Sequence, residues 1–464
     1  MAGYQVLNPA TGKVESEFPR ATDAEVREAI DLAHNTYSSW RNTALDERVA
    51  IIKRVAELYR ERRGELTEII AREMGKPIRQ GAGEIGISAD IFDYYADNAA
   101  EFLKEEELTV ASGGRAVVRM APTGVILGIM PWNYPYYQVA RFAAPNLLLG
   151  NTIVLKHASN CPESAQAIAK IFEDAGLPEG AYVNIFASSS QVPSIIEDPR
   201  VQGVSLTGSE PAGRSVAEVA GRNLKKCVLE LGGSDPFLVL STEDVKAAAK
   251  VAVGGRMANG GQACNASKRV IEYYEEFVQA YVERMQLFTP GDPLDSGTRF
   301  GPLSSAGAVD ELVELVEDAV GKGANLLLGG QRIEPAEAGL GAEWADGAWM
   351  QPTVLTDITP EMRIYREEAF GPVASIYRVA DEAAAIRLAN DSPFGLGSSV
   401  ITNDEAQANR VADQIEAGMV YINSAGESEP DLPFGGVKSS GIGRELGRFG
   451  MEEFANRKLV RWSN

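Results

Sequence analysis

The sequence predicts an α/β protein built on parallel sheets, and three observations carry that expectation. From residue 125 short apolar runs alternate with helical stretches: "GVILGIM", 137–149, "NTIVLKH", 162–175, "AYVNIFA", "VQGVSLTGS" and 211–222. That is the order of repeated strand–helix–strand units. After "VLELGGSDPFLVL" a second α/β stretch begins and runs from roughly 240 to 425. Finally, 464 residues that are 45% hydrophobic and 23% charged exceed what one core ordinarily holds, so two or three domains are expected.

Taken in order, the elements begin with helices. "TDAEVREAIDLAHNTYSSW" (22–40) opens on a capping box from Thr22 to Glu25, and Val26, Ile30, Ala33 and Tyr37 then recur at helical spacing. One long amphipathic helix is expected from about Leu45 to Met74, ended by Gly75-Lys76-Pro77, with another through 82–104. "LTVASGGRAVVRMAP" (108–122) alternates and breaks at Ser-Gly-Gly, which reads as a β-hairpin. The tail, 426–464, reads as loop until "RKLVRW" supplies one more strand. There is no internal repeat and no low-complexity linker.

Composition excludes several classes of function. A net charge of −21 and a pI near 4.7 disfavour nucleic acid and anionic membranes as partners. No run reaches the roughly 18 apolar residues of a membrane span, and the first residues lack a secretory pattern, so a cytoplasmic location is expected. Cys161, Cys227 and Cys264 are scattered without a CxxC spacing, and His34 and His157 are the only histidines. Neither a disulfide framework nor a metal site is expected.

Chemistry concentrates in four segments. In "NGGQACNASKR" (259–269) Cys264 is surrounded by poor core formers, which favours a nucleophile over a small buried thiol; the glycines would let a substrate or a backbone amide approach the sulfur closely. In "LELGG" (229–233) Glu230 lies between leucines, where a raised pKa would suit general-base work, although an edge-strand glutamate facing solvent reads equally well. In "MPWNYPYYQVAR" (130–141) prolines flank Asn133, an amide placed to donate to an oxyanion or to form an Asx turn. "LTGSEPAG" (206–213) runs from a strand through Gly208 and Ser209 into a helix N-terminus, a phosphate-binding arrangement that lacks the G-x-G-x-x-G spacing.

Together with "EEAFGPV" (367–373) and "PFGGVKSSGIGRELG" (433–447), these segments resemble the aldehyde dehydrogenase superfamily along essentially the whole chain. The resemblance implies an α/β fold of the aldehyde dehydrogenase type, with two Rossmann-like domains and a small β oligomerisation element. Its implied boundaries are 1–106 and 123–237 for coenzyme binding, 238–425 for catalysis, and 107–122 with 426–464 for assembly into a homodimer or homotetramer. It implies Cys264 as nucleophile, Asn133 with the Cys264 amide as oxyanion hole, and Glu230 as the base that hydrolyses a thioester. It assigns Trp132, Lys156, Ser159, Gly208, Ser209, Glu368 and Phe370 to the coenzyme, and Tyr137, Arg141 and Ser424 to the substrate. A CoA-acylating relative would lack the glutamate at position 230, and a non-catalytic one would have lost Cys264, Glu230 or Asn133; this chain retains all three.

Substrate and coenzyme follow from finer detail. "LNPATGK", "MGKPI", "LKHASN" and "ELGGSDPF" look most like bacterial succinate-semialdehyde dehydrogenases. Arg141, eight residues past Asn133, is expected on the same helical face with its fork toward a substrate carboxylate. Against this, Glu427, Glu429 and Asp431 make the segment 424–433 acidic, so a general aliphatic or aromatic aldehyde is the alternative substrate. Ser159 stands where strictly NAD-dependent relatives often carry glutamate; a serine there leaves Lys156 to neutralise a 2′-phosphate. A partly desolvated pair of that kind contributes about 1–3 kcal/mol. NADP is therefore expected to be accepted at least as well as NAD, unless Ser159 only caps the following helix.

Overall fold

The structure, a computed structural model, describes residues 3–272, 274–336 and 338–463. It opens with a strand pair absent from the sequence reading, β1 (Tyr4–Asn8) antiparallel to β2 (Lys13–Phe18). β2 is mostly exposed, so it lacks the apolar alternation by which strands are recognised. α1 (Asp23–Trp40) carries the expected capping box, with Thr22 accepting from the Glu25 amide. The expected long helix is two, α2 (Leu45–Glu61) and α3 (Arg63–Met74). The break falls at Arg62, which leaves helical geometry at φ −98°, ψ 12° and pairs with Asp174 at 2.5 Å. No glycine or proline stands at that position to announce it. Gly75, at φ 77°, closes α3, and α4 (Ile78–Phe102) starts directly after Pro77, four residues earlier than expected. The hairpin is present as β3 (Glu106–Leu108) against β4 (Arg115–Pro122).

The first α/β unit alternates β5 (Val125–Met130), α5 (Tyr137–Leu149), β6 (Thr152–His157), α6 (Pro162–Asp174), β7 (Tyr182–Asn184), α7 (Val192–Glu197), β8 (Val201–Thr207), α8 (Glu210–Arg222) and β9 (Lys226–Glu230). Its strands lie in the order β9-β8-β5-β6-β7, all parallel. The chain leaves β5 for β6 on one side and reaches β8 on the other, so the C-terminal ends of β5 and β8 frame a crevice. Along β5 the side chains alternate between two cores. Ile126 faces α2, α4 and α5, while Val125 and Leu127 face α1, α7 and α8.

The second unit begins with β10 (Asp235–Val239), α9 (Val245–Met257), β11 (Ser267–Glu272), α10 (Glu275–Met285), α11 (Ala306–Gly321), β12 (Asn325–Leu328) and β13 (Thr353–Thr356). It continues through β14 (Val373–Arg378), α12 (Glu382–Asn390), β15 (Phe394–Gly395), β16 (Ser399–Ile401), α13 (Glu405–Ala412) and β17 (Tyr421–Ile422). Its sheet runs β12-β13-β14-β11-β10-β16-β17, parallel except for β12. The same two-sided packing recurs, Leu238 on one face and Phe237 and Val239 on the other. The sheets change over at residues 231–234, so the expected boundary at 237/238 falls inside β10, a strand of the second sheet. Because β9 ends where β10 begins, the C-terminal edge of one sheet faces the N-terminal edge of the other.

The tail is more ordered than its composition suggests. β18 (Val437–Lys438) pairs with β15, β19 (Gly441–Ile442) adds antiparallel to β9, and α14 (Gly447–Glu452) leads into β20 (Ala455–Trp462), which pairs with β4. Ser440 accepts from the Leu231 amide through its carbonyl at 2.9 Å and donates to Gly232 O through its hydroxyl at 2.7 Å. Gly441 sits at φ 134°, and a Cβ there would lie 1.9 Å from the Leu229 carbonyl. Both neighbours are backbone and cannot swing aside. Gly441→Ala is expected to cost at least about 2 kcal/mol, read as a lowered midpoint in thermal unfolding, whereas Gly83→Ala, at an exposed position inside α4 with open space around it, raises the midpoint slightly.

Candidate active site

Cys264 is delivered by a backbone reversal. After α9, Asn259, Gly260 and Gly261 are left-handed in succession, at φ 52°, 62° and 81°. The glycines were expected to admit a substrate or a backbone amide; at Gly261 the close neighbour is backbone. A Cβ on Gly261 would lie 2.2 Å from the Gly371 carbonyl, and the buried Arg256 donates to Gly261 O at 2.8 Å and also to Gly371 O. One guanidinium therefore ties the thiol loop to the segment 369–371. A second cation does the same from below: Lys268 Nζ donates to Ala263 O at 2.8 Å and Cys264 O at 2.7 Å. Burial pushes the Cys264 thiol up to about 11, with Arg141 and Lys268 acting in the opposite direction.

Asn133 is held just as firmly. Its carbonyl accepts from Lys76 Nζ at 2.7 Å and from Asn259 Nδ2 at 2.9 Å, while its own Nδ2 donates to Gln262 O at 3.1 Å. Lys76 is ion-paired to Glu84 with neither side chain exposed, and it stands 3.7 Å from the centroid of the Tyr134 ring. Glu84 accepts the Tyr136 and Tyr137 amides at 2.9 and 3.3 Å, the first free N–H groups of α5. A single buried pair thus fixes both Asn133 and the helix that follows it.

Glu230, at the end of β9, is 2% exposed, and neither carboxyl oxygen has a hydrogen-bond partner. Burial holds its pKa well above the carboxylate range. Arg141 is the one predicted site residue that the structure places differently. It is fully buried, ion-paired with Glu445 and in contact with Tyr137 Oη at 3.4 Å and Thr207 Oγ1 at 3.2 Å. Its plane lies against the Phe434 ring, 4.5 Å from the centroid. The expectation counted helical steps from Asn133, but α5 begins only at Tyr137, so the fork turns behind the cavity wall.

Two cavities meet at Cys264. The larger, about 970 Å³, is lined by Tyr134, Tyr137, Asn265, Ser424, Glu427 and Phe434 among others. The smaller, about 230 Å³, is lined by Trp132, Asn133, Gly208, Ser209, Glu230, Glu368 and Phe370. Glu368 accepts the Gly233 amide at 3.1 Å and pairs with Lys268 at 2.8 Å, and Phe370 stands edge-on to Trp132 at 5.7 Å. A Cβ on Gly232 would meet Glu368 at 2.2 Å, so this wall closes only with glycine there. Ser209 is the N-cap of α8 and makes no side-chain cap bond.

Lys156, at the end of β6, is 8% exposed; its recorded hydrogen bond is a long one, 3.4 Å to His157 O. Burial, helped by Arg20, lowers its pKa to about 8. Ser159 is exposed and does not cap α6; Glu73 takes the Glu163 and Ser164 amides in that place. A weakly compensated buried cation, an uncapped helix N-terminus and an aromatic-walled slot against the thiol fit a nicotinamide dinucleotide. Among the described residues no cluster of ligating side chains would hold a metal ion, and no helix is long and apolar enough to cross a membrane.

Sequence reading missed Lys76, Glu84, Arg256, Lys268 and Glu445. The sole signal for Lys268 was two adjacent cations leading into Val270 and Ile271 in "SKRVIE", a run that becomes a wholly buried strand.

The family model described as "Aldehyde dehydrogenase family" matches residues 2–460. A succinate-semialdehyde dehydrogenase [NADP(+)] of Deinococcus radiodurans is 51% identical over 461 residues, covering 99% of this chain and 94% of that protein. The corresponding enzyme 1 of Mycobacterium ulcerans is 45% identical, covering 98% of each chain. The crystal structure of succinic semialdehyde dehydrogenase from Streptococcus pyogenes, in complex with NADP+, superposes with a TM-score of 0.95 at 42% identity, over 99% of this chain and 100% of that one.

The buried pair under Asn133 yields a direct expectation. Lys76→Met strands the Glu84 carboxylate and is expected to cost about 3–5 kcal/mol. Lys76→Met with Glu84→Gln removes both charges and should recover part of that loss, measured by chemical unfolding of all three variants.

Proposed function

We propose, for a chain that belongs to the aldehyde dehydrogenase family, the NADP-dependent oxidation of succinate semialdehyde to succinate. The observation that carries this reading is the meeting of two cavities on one sulfur, with an unpartnered carboxyl on the wall of the smaller. The activity and coenzyme of its relatives support it.

In this reading the aldehyde enters through the larger cavity and Cys264 attacks its carbonyl as a thiolate. Asn133 Nδ2 stabilises the resulting oxyanion, its position set through the backbone held by Lys76 and Asn259. The chemistry that NADP+ would supply when bound is hydride acceptance from the thiohemiacetal carbon. A thioester on Cys264 remains, and Glu230 takes a proton from the water that hydrolyses it. Trp132, Gly208, Ser209, Glu368 and Phe370 hold the nicotinamide half and the pyrophosphate. Lys156 and Ser159 hold the adenosine end, where the lysine meets the 2′-phosphate. Tyr137 and Ser424 take the substrate's carboxylate end, with the Arg141 charge acting from behind Tyr137.

Glu427 on the larger cavity favours a second reading, a broader aldehyde dehydrogenase, because its charge opposes a carboxylate substrate. A kcat/KM panel of succinate semialdehyde against butanal separates the two. We also propose the division into coenzyme, catalytic and oligomerisation parts, with the sheet of β3, β4 and β20 as the contact between subunits of a homodimer or homotetramer. Leu108 and Leu459 on one of its faces and Trp462 on the other are 39%, 61% and 40% exposed, apolar surface of the kind that assembly covers.

Two outcomes are expected. Cys264→Ala forms no NADPH at all, whereas Glu230→Gln gives one burst of NADPH and then stalls as the thioester accumulates; steady turnover by Glu230→Gln removes the deacylation role. At the adenosine end, Ser159→Glu should lower kcat/KM with NADP about tenfold or more while sparing NAD, since a carboxylate there opposes a phosphate. Equal losses with both coenzymes would detach Ser159 from 2′-phosphate recognition.

A further inference from the structure

We propose that Lys268 is a positioning residue that binds the thiol loop to the coenzyme-facing acid Glu368 and sets the charge beside the sulfur, a role that rests on the reading of Cys264 as nucleophile. An ammonium has three N–H donors, and two of them go to Ala263 O and Cys264 O. Glu368 completes the surroundings of the charge as an ion-pair partner at 2.8 Å. Only 2% of the Lys268 side chain is exposed, so its charge cannot be dispersed into water. Glu368 is then braced from its other side by the Gly233 amide. Gly233 itself lies against the thiol loop, for a Cβ there would come within 2.6 Å of Cys264 O. A closed circuit results, running Cys264 carbonyl, Lys268, Glu368, Gly233 and back to the Cys264 carbonyl.

The circuit joins the two sheets' contributions. Lys268 is the second residue of β11, in the second sheet, and Gly233 belongs to the changeover that follows β9 of the first. Glu368 and Phe370 face the smaller cavity on one side of the sulfur, and the Lys268 ammonium lies 5.7 Å from the Phe370 ring centroid. A shift of Glu368 would therefore be transmitted to the Cys264 backbone without any change in the fold. The charged groups facing the sulfur come from four elements. Arg141 (α5) and Lys268 (β11) favour the thiolate, while Glu368 (the segment before β14) and Asp235 (β10) oppose it; Tyr134, Tyr137 and Tyr421 are close neighbours. Lys268 is the only one of the cations here that also bonds to the Cys264 loop itself.

The test is alkylation of Cys264 by iodoacetamide in the full-length, coenzyme-free protein between pH 7 and 9, followed on the Cys264 peptide by mass spectrometry. Removing the cation with Lys268→Met should raise the thiol's apparent pKa and slow alkylation about tenfold at each pH, the ratio that one pKa unit produces. Removing the opposing charge with Glu368→Gln should move the rate the other way, and Lys268→Arg should stay near the parent rate. A purely structural lysine predicts neither the opposite signs nor the rescue by arginine. Parent-like alkylation of Lys268→Met, or shifts of the same sign in both charge-removal variants, overturns the proposal. Should Lys268→Met show no cooperative unfolding transition, Glu368→Gln decides alone, and an unchanged or slower rate in it overturns the proposal. Failure of the underlying reading is a separate result, NADPH formation by Cys264→Ala, which leaves the alkylation readout untouched.

Discussion

The ion pair between Lys76 and Glu84 is the interaction on which the rest of the site depends. Taking two charges fully out of water is costly, and a well-packed apolar pair of the same volume is often no less stable. What the pair contributes is direction. Glu84 faces the amides that begin α5, and Lys76 faces the carbonyl of Asn133, so one contact orients a helix start and a catalytic-loop backbone together. α5 is buried along its whole length, and its packing fixes Tyr137 and Arg141 in turn. Small rotations at Lys76 would be felt at every one of these groups.

Buried cations recur as loop fasteners elsewhere in the site. Arg256 gathers the carbonyls of Gly261, Ala369 and Gly371, and Lys268 gathers those of Ala263 and Cys264. Loops rich in glycine would otherwise sample many conformations. Their carbonyls form acceptor clusters that a planar or tetrahedral donor can satisfy all at once. The chain has a net charge of −21, yet its interior around the sulfur is organised by positive groups.

Much of this was legible in the sequence. The alternation of "GVILGIM", "NTIVLKH" and their helices maps onto one sheet, and Cys264, Glu230 and Asn133 do line a common cavity. Pattern succeeds there because the strands are short apolar runs buried on both faces, while α6 and α8 carry one apolar face and the wholly buried α5 stands out from the strands by length. It fails where the deciding contact is remote in sequence. The break at Arg62 has no local breaker and answers to Asp174; Arg141 turns toward Glu445, more than three hundred positions along the chain; and the first sheet takes its last strand from Gly441 and Ile442. Gly261 was legible as a point of close approach but not which group approaches it, since the Gly371 backbone leaves the same trace in a sequence as a ligand would.

The dependence of β9 on β19 bears on how the molecule is made. Glu230 sits on a strand whose outer edge stays open until residues 441–442 arrive, and the Leu231 amide waits for Ser440. Arg141 likewise stays buried without its counter-ion until Glu445 is present. Cys264 is translated well before residues 440–445. The nascent chain therefore carries its thiol long before it carries the residues that complete the surroundings of that thiol.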